Sequence, residues 1–160
     1  MRTQSRHVSS WEEAAQLAAQ IQQRGGLAVF TNGVFDLLHP GHVRYLKDAR
    51  ALGQILIVGI NSDRSVRENK GAGRPVNSEL ERAEVLLALS SVDAVIVFDE
   101  LTPQDVIVRL RPDILVKGED WPSDAIVGRD VVEMRGGRVV RMPLEQGLST
   151  TELIRRVRGR

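Results

Sequence analysis

The stretch LAVFTNGVFDLLHPGHVRYLKDARALGQILIVGI, residues 27–60, decides the architecture. Leu27 to Thr31 is a short apolar run followed by an Asn32-Gly33 turn. Pro40-Gly41 introduces a helix to about Leu52, and Gln54 to Ile60 is apolar at nearly every position. A continuously apolar strand suits burial on both faces, the condition of a parallel sheet whose crossovers are helices. Upstream, Ser10-Trp-Glu-Glu13 predicts a capping box and a helix to about Arg24 that Gly25-Gly26 stops. Trp11, Ala14, Ala15, Ala18 and Ile21 share one face of it, with Trp11 as a hydrophobic staple.

Downstream, Asn61 to Asn77 is polar and broken by Gly71, Gly73 and Pro75. It reads as the longest irregular stretch, far beyond the usual connection of about 4–6 residues, and so as a functional loop. We expect a lid that closes around Lys70, with Gly71 and Gly73 as hinges. Ser78-Glu-Leu-Glu81 is a second capping box, with a helix to about Ser90. Ala94–Phe98, Ile114–Val116 and Arg138–Met142 read as three further strands. Thr102-Pro103 reads as an N-cap with proline at the first helical position, and Gly118–Gly137 as a polar loop with a short helix. Ser149-Thr-Thr-Glu152 is a third capping box, opening an arginine-rich terminal helix. Five strands alternating with helices predict an α/β parallel sheet in a single domain over 1–160, with an N-terminal helix over 1–26 and a core over 27–156.

Composition narrows the function. Twenty-two basic residues against 21 acidic ones leave +1, without the excess that wrapping nucleic acid demands. The absence of cysteine removes a disulfide framework, a thiolate metal site and a cysteine nucleophile. No apolar run is long enough to span a bilayer, and the start MRTQSRHVSSWEE has no apolar leader, so a cytoplasmic protein is expected. Nineteen of the basic residues are arginine and three are lysine, Lys47, Lys70 and Lys117. Arginine abundance reads as genome composition, and Lys47, in mid-helix, as surface.

In parallel sheets ligands bind beyond the carboxyl ends of the strands. Segments 32–41, 61–77, 98–102, 117–123 and 143–151 should lie there, and glycine, histidine, lysine and hydroxyl residues concentrate in them. His39 and His42 stand three apart at a helix start, so both imidazoles can meet one group, beside amides and a dipole that favour an anion. Gly33 permits close backbone approach, and Gly41 leaves room for a phosphate against the first turn. Two other readings of the pair stand beside this one. They are plain polar residues at a helix start, or zinc ligands together with Asp36. Ser149, Thr150 and Thr151 form a second hydroxyl-rich helix start, and two of these hydroxyls exceed what a cap needs.

These residues carry a resemblance. GVFDLLHPGH is similar to the H-x-G-H phosphate motif of the cytidylyltransferase-like nucleotidyltransferases, and Asn61-Ser-Asp63, Lys70–Asn77, Glu81-Arg82, Val116–Trp121 and Gly147–Thr151 follow in the family's order. Within it the chain most resembles the ADP-heptose synthases, which join D-glycero-β-D-manno-heptose 1-phosphate to the AMP of ATP. The resemblance implies a Rossmann-like doubly wound sheet and a set of roles. His39, His42 and Lys70 would act on the phosphates. Thr31, Asn32, Gly33, Phe35, Asp36 and Gly41 would bind nucleotide, as would Arg82, Lys117, Gly118, Trp121, Ser149, Thr150 and Thr151. Asn61, Asp63 and Arg74 would bind the acceptor, and Asp36 would also hold a histidine or help with Mg²⁺. It further implies Mg²⁺ brought with ATP and no tightly bound cofactor or dedicated metal. The implied partners are a sugar phosphate, a separate heptose-phosphate kinase and a second copy in a dimer, with neither nucleic acid nor membrane. Family members that transfer CMP to glycerol 3-phosphate carry an arginine where this chain has Leu144, which favours the heptose group. Rival readings are the same chemistry on glycerol phosphate, FMN or another heptose phosphate, a non-catalytic nucleotide sensor, and a zinc hydrolase.

Overall fold

Apolar residues alternate between the two faces of a five-stranded, all-parallel sheet, and helices cover both faces. A computed structural model, which describes residues 7–159, places the strands at β1 (Ala28–Gly33), β2 (Ile55–Asn61), β3 (Ala94–Phe98), β4 (Ile114–Gly118) and β5 (Arg138–Met142). The helices are α1 (Trp11–Gln23), α2 (Pro40–Arg50), α3 (Asp63–Lys70), α4 (Glu79–Ala88), α5 (Gln104–Leu110), α6 (Arg129–Glu133) and α7 (Thr150–Arg158), with a 3-10 turn at Ser123–Ala125. The strand order is β3-β2-β1-β4-β5, a doubly wound sheet. The reading of the amino terminus as lacking a leader rests largely on residues 1–6, outside the described residues. Among the described residues no helix is long and apolar enough to cross a membrane.

One face of the sheet, with Phe30, Ile57, Ile96 and Leu115, packs on α1, α5 and α6. Val29, Leu56, Val58, Val95 and Val116 point the other way, toward α2 and α4. Ala14 and Ala18 are fully buried, so α1 lies close on the sheet. Its first residue, Trp11, anchors it through an indole N–H that donates to the Val97 carbonyl at 2.9 Å. Two aspartates clamp strand starts. Asp113 accepts from the Ala28 amide at 2.8 Å, and Asp93 from the Leu56 amide at 2.9 Å and from Arg50 Nε at 2.7 Å.

Four details depart from the sequence reading. Residues 63–70 are helical: Ser62 caps α3 by accepting from Ser65 N, Asp63 lies at its positive end, and Arg67 and Lys70 at its negative end. Val66 is its one buried apolar side chain, so hydrophobic periodicity left no signal. Asn32-Gly33 is strand rather than turn, paired with Gly59 and Ile60 of β2. The chain turns afterwards, at Phe35, whose φ is +50°. Pro103, not Thr102, is the N-cap of α5 and offers no side-chain cap. At α7 Ser149 accepts from the Glu152 amide, but the Glu152 carboxylate bonds Arg155 instead of reaching back, so half of the third capping box is missing. The boxes at Ser10 and Ser78 are complete.

The sheet divides at its centre. β1 and β4 pair only from Val29↔Ile114 to Thr31↔Val116. Beyond that rung β1 stays with β2 through Gly33, and β4 stays with β5 through Gly118.

Gly59 lies in β2 where an added Cβ would come 2.9 Å from Phe30 Cζ and 3.3 Å from Phe98 Cε1. Both rings are buried and have little room to yield. Gly59→Ala should therefore destabilise the fold by about 1–3 kcal/mol through overpacking. Urea unfolding should show a lower midpoint at an unchanged m-value, and an unshifted midpoint would show that the rings relax freely.

Candidate active site

Past the last shared rung of β1 and β4 lies a cavity of about 640 Å³. It sits where the strand order reverses, the position at which open α/β sheets bind ligands. Its walls come from residues within 32–48, 70–74, 117–121 and 142–151. Four of the five predicted segments thus converge, whereas 98–102 lies away from it.

His39 is the N-cap of α2, Pro40 and Gly41 open the first turn, and His42 completes it. The imidazoles stack with centroids 3.8 Å apart and planes 25° apart. Phe35, swung inward by its left-handed backbone, tilts against His42 with centroids 5.3 Å apart. Its ring rests on Gly33, where a Cβ would meet Cε2 at 3.0 Å. A Cβ on Gly41 would lie 2.9 Å from His39 Cε1, so this glycine makes room for the His39 ring on the cavity wall. Serines cap α1, α3, α4 and α7, but no side chain caps α2. His39 Nδ1, His42 Nδ1 and Asn32 Oδ1 are buried without a protein partner. Buried polar atoms are costly to leave unpaired, so three of them lining one cavity, beside an uncapped helix start, point to a ligand.

Burial, and secondarily the neighbouring His39, pull the His42 imidazole down to about 4. Burial also lowers His39, opposed by the Glu145 carboxylate. Both rings are therefore neutral near pH 7, each with one N–H donor and one lone pair. Opposite them Lys117 is only 9% exposed, with Nζ 5.2 Å from the centroid of the Trp121 ring. Burial brings this amine down to about 8, against the pull of Asp120. A Cβ at Gly118 would come 2.6 Å from Asp120 Oδ1, so a side chain there would push the exposed Asp120 carboxylate aside. Lys70, Ser149 and Thr151 also line the cavity, as does Thr150, whose hydroxyl donates to the Leu37 carbonyl at 3.1 Å and ties α7 to the loop before His39.

Several predicted site residues bond to the protein frame, two of them, Asp36 and Arg74, from the cavity wall. Asp36 is 2% exposed and its carboxylate is taken by Arg74 Nε at 2.8 Å and by the amides of Val76 and Asn77. Burial alone would raise its pKa, but the bonds from Asn77, Val76 and Arg74 hold it below the ordinary value. It therefore holds no histidine, and it ties down residues 74–77 of the segment expected to move as a lid. Arg74 reaches the cavity wall through that bond. Arg82 is fully buried and faces away, donating to the Val34 carbonyl at 2.8 Å, the Asn77 carbonyl at 3.1 Å and Asp63 at 2.8 Å. Asn61 donates to Ser65 Oγ. Thr31 lies beneath the cavity: its hydroxyl donates to the Val116 carbonyl at 3.0 Å and accepts from Tyr45. Among the described residues no group of three or more His, Cys, Asp or Glu side chains is placed to hold a metal, Asp36, His39 and His42 included.

Sequence reasoning passed over Arg44, Tyr45, Asp48, Asp120 and Glu145, all on the cavity wall. Helical spacing carries the signal for three of them: with Gly41 facing the cavity, positions three, four and seven further along share its face.

Residues 30–156 match the cytidylyltransferase-like family. A protein of Syntrophotalea carbinolica named bifunctional protein HldE is 55% identical over 139 residues, which cover 87% of this chain and 28% of that protein. The chain thus spans under a third of the length of such relatives. The crystal structure of a lipopolysaccharide core biosynthesis protein from Thermoplasma volcanium superposes with a TM-score of 0.62 at 30% identity, covering 76% of this chain and 98% of that one. Pantoate-beta-alanine ligase from Francisella tularensis, in complex with an ATP ligand and beta-alanine, shares the fold at a TM-score of 0.62 and 14% identity, over 94% and 76% of the two chains.

An imidazole held near 4, against an ordinary 6.5, refuses a proton that the unfolded chain accepts between those values. Stability contributed by neutral His42 is therefore present above about pH 6.5 and is lost as pH falls toward 4. His42→Gln should flatten this part of the acid slope. Urea unfolding at pH 7 and pH 5 measures it, and a variant with the parent's slope would place the ring in solvent.

Proposed function

This chain belongs to the cytidylyltransferase-like family and is a nucleotidyltransferase; on that premise we propose that it joins the AMP of ATP to a sugar 1-phosphate, D-glycero-β-D-manno-heptose 1-phosphate, giving ADP-heptose and pyrophosphate. The observation that carries the reading is the pair of stacked neutral imidazoles, with unpartnered nitrogens, over the uncapped start of α2. The relatives named bifunctional protein HldE and lipopolysaccharide core biosynthesis protein support the sugar. Leu144, at the place of an arginine in enzymes that transfer CMP to glycerol phosphate, supports ATP over CTP.

In this reading an oxygen of the sugar phosphate attacks the α-phosphorus in line, the bond to the bridging oxygen breaks, and pyrophosphate leaves. The attacking oxygen is already anionic at neutral pH, so the protein supplies neither nucleophile nor strong base. It supplies position and charge stabilisation, which dominate catalysis of phosphoryl-type transfer. Neutral His39 and His42 donate to oxygens whose charge grows in the transition state, alongside the first-turn amides of α2. Ser149 and Thr151 at the start of α7 take the outer phosphates. Lys117 and Trp121 lie against base and ribose, and Lys70 reaches the phosphates from the end of α3. Mg²⁺ arrives with the triphosphate as part of the substrate. The sugar phosphate would come from a kinase acting first on the heptose.

A pyrophosphate-release screen crossing nucleoside triphosphates with phosphorylated acceptors tests the reading. ATP with the heptose 1-phosphate should turn over fastest and only with Mg²⁺ or Mn²⁺. Preference for CTP, or for glycerol phosphate or FMN, would replace the assignment. His42→Ala should cost about 10²–10³ in kcat, the scale of losing one preorganised donor. Lys70→Ala should lower kcat more than it weakens ATP binding, and a variant with normal turnover would make Lys70 a solvated lysine.

A further inference from the structure

At the mouth of the cavity Arg44 of α2 forms an ion pair with Glu145, in the segment between β5 and α7. Neither residue has a part in the chemistry above. Four basic and four acidic side chains line the cavity, so its walls carry no net charge, an odd lining for a polyanion. Arg74 and Asp36 neutralise each other in a bond that also fixes the backbone of 76–77. The Arg44–Glu145 pair fixes no backbone in this way, and its side chains are 61% and 41% exposed.

We propose that Glu145 is an internal anion standing where a substrate phosphate belongs, and that an incoming phosphate displaces it and takes over Arg44. The proposal rests on the cavity being the nucleotide site. Arg44 lies one turn beyond Gly41, on the same face of α2 as the uncapped helix start. The Glu145 carboxylate acts on His39, so it stands on the histidine side of the cavity. One carboxylate thus pairs with an arginine and acts on His39, the surroundings suited to a phosphate. Exchange is cheap, because an exposed ion pair contributes little in water. A phosphate carries more charge than a carboxylate and matches the guanidinium fork equally well, so it wins the exchange. Until then Glu145 keeps Arg44 neutralised and keeps stray singly charged anions out.

Binding of inorganic pyrophosphate, measured by calorimetry on the parent and four variants, decides the matter. Glu145→Gln should tighten binding about three- to fivefold. Arg44→Gln should weaken it about tenfold, the scale of a charge-assisted hydrogen bond, and Arg44→Lys should recover part of that. In the double variant the gain from Glu145→Gln should vanish, since it acts by releasing Arg44. Unchanged binding in Glu145→Gln, or parent-like binding in Arg44→Gln, overturns the proposal while the nucleotide site stands. A parent protein that binds neither pyrophosphate nor Mg²⁺-ATP overturns both. Unfolding midpoints of the variants, expected at the parent's value for so exposed a pair, show that the fold is kept.

Discussion

Everything in the site depends on the parting of β1 and β4 after their last shared rung, Thr31 with Val116. Two parallel strands that separate leave a crevice with backbone on both lips. Asn32 and Gly33 remain on the β2 side, Lys117 and Gly118 on the β5 side. The rung is locked by side chains. Thr31 spans it to the Val116 carbonyl, and Tyr45 bonds the same hydroxyl from α2, at the cost of a phenol pushed up to about 12, mainly by its burial. The helix that carries the histidines is therefore registered against both strands at the point where they part.

The electrostatic character of the crevice follows from burial more than from charge. Imidazoles that titrate below their ordinary range and a lysine brought down to about 8 are what a low-dielectric pocket does to cationic groups. The two imidazoles are thereby neutral donors set among charged walls, and donors held without reorganisation stabilise charge that appears only during reaction. It also explains why the missing cap on α2 matters. A serine at position 39 would satisfy first-turn amides internally, whereas His39, stacked on His42, leaves them to a ligand.

Behind the cavity a second set of polar residues fixes the loops. Asp36 gathers 74–77, and Arg82, buried completely, joins the Val34 and Asn77 carbonyls to Asp63 at the start of α3. Removing either partner from such a buried network typically costs about 3–5 kcal/mol, because the other charge is left unpaired. These residues are of the same types, and lie in the same segments, as those that line the cavity. In sequence Asp36, Asp63, Arg82 and Asn61 read as ligands of substrate; in three dimensions their side chains are bonded to the protein itself, and of the four only Asp36 also lines the cavity.

The linear chain determined what local physics decides. Continuous apolar runs marked β2 and β3, serine–glutamate boxes opened α1 and α4, and the glycine–histidine cluster with the Ser149–Thr151 start marked two helix termini able to meet anions. Alternation of these elements was enough for a parallel α/β sheet, the family resemblance implied that it is doubly wound, and the motif order was enough for the family. Only the tertiary structure decided which polar residues face the cavity and which face each other, because that depends on directions across elements far apart in sequence. Asp36 meets residues 74–77, Arg44 meets Glu145, and Thr31 meets Val116, over separations of 38 to 101 residues. The helix at 63–70 belongs to the same class, since its one buried apolar residue left no periodicity and its stability comes from the cap, the dipole and its packing against β2.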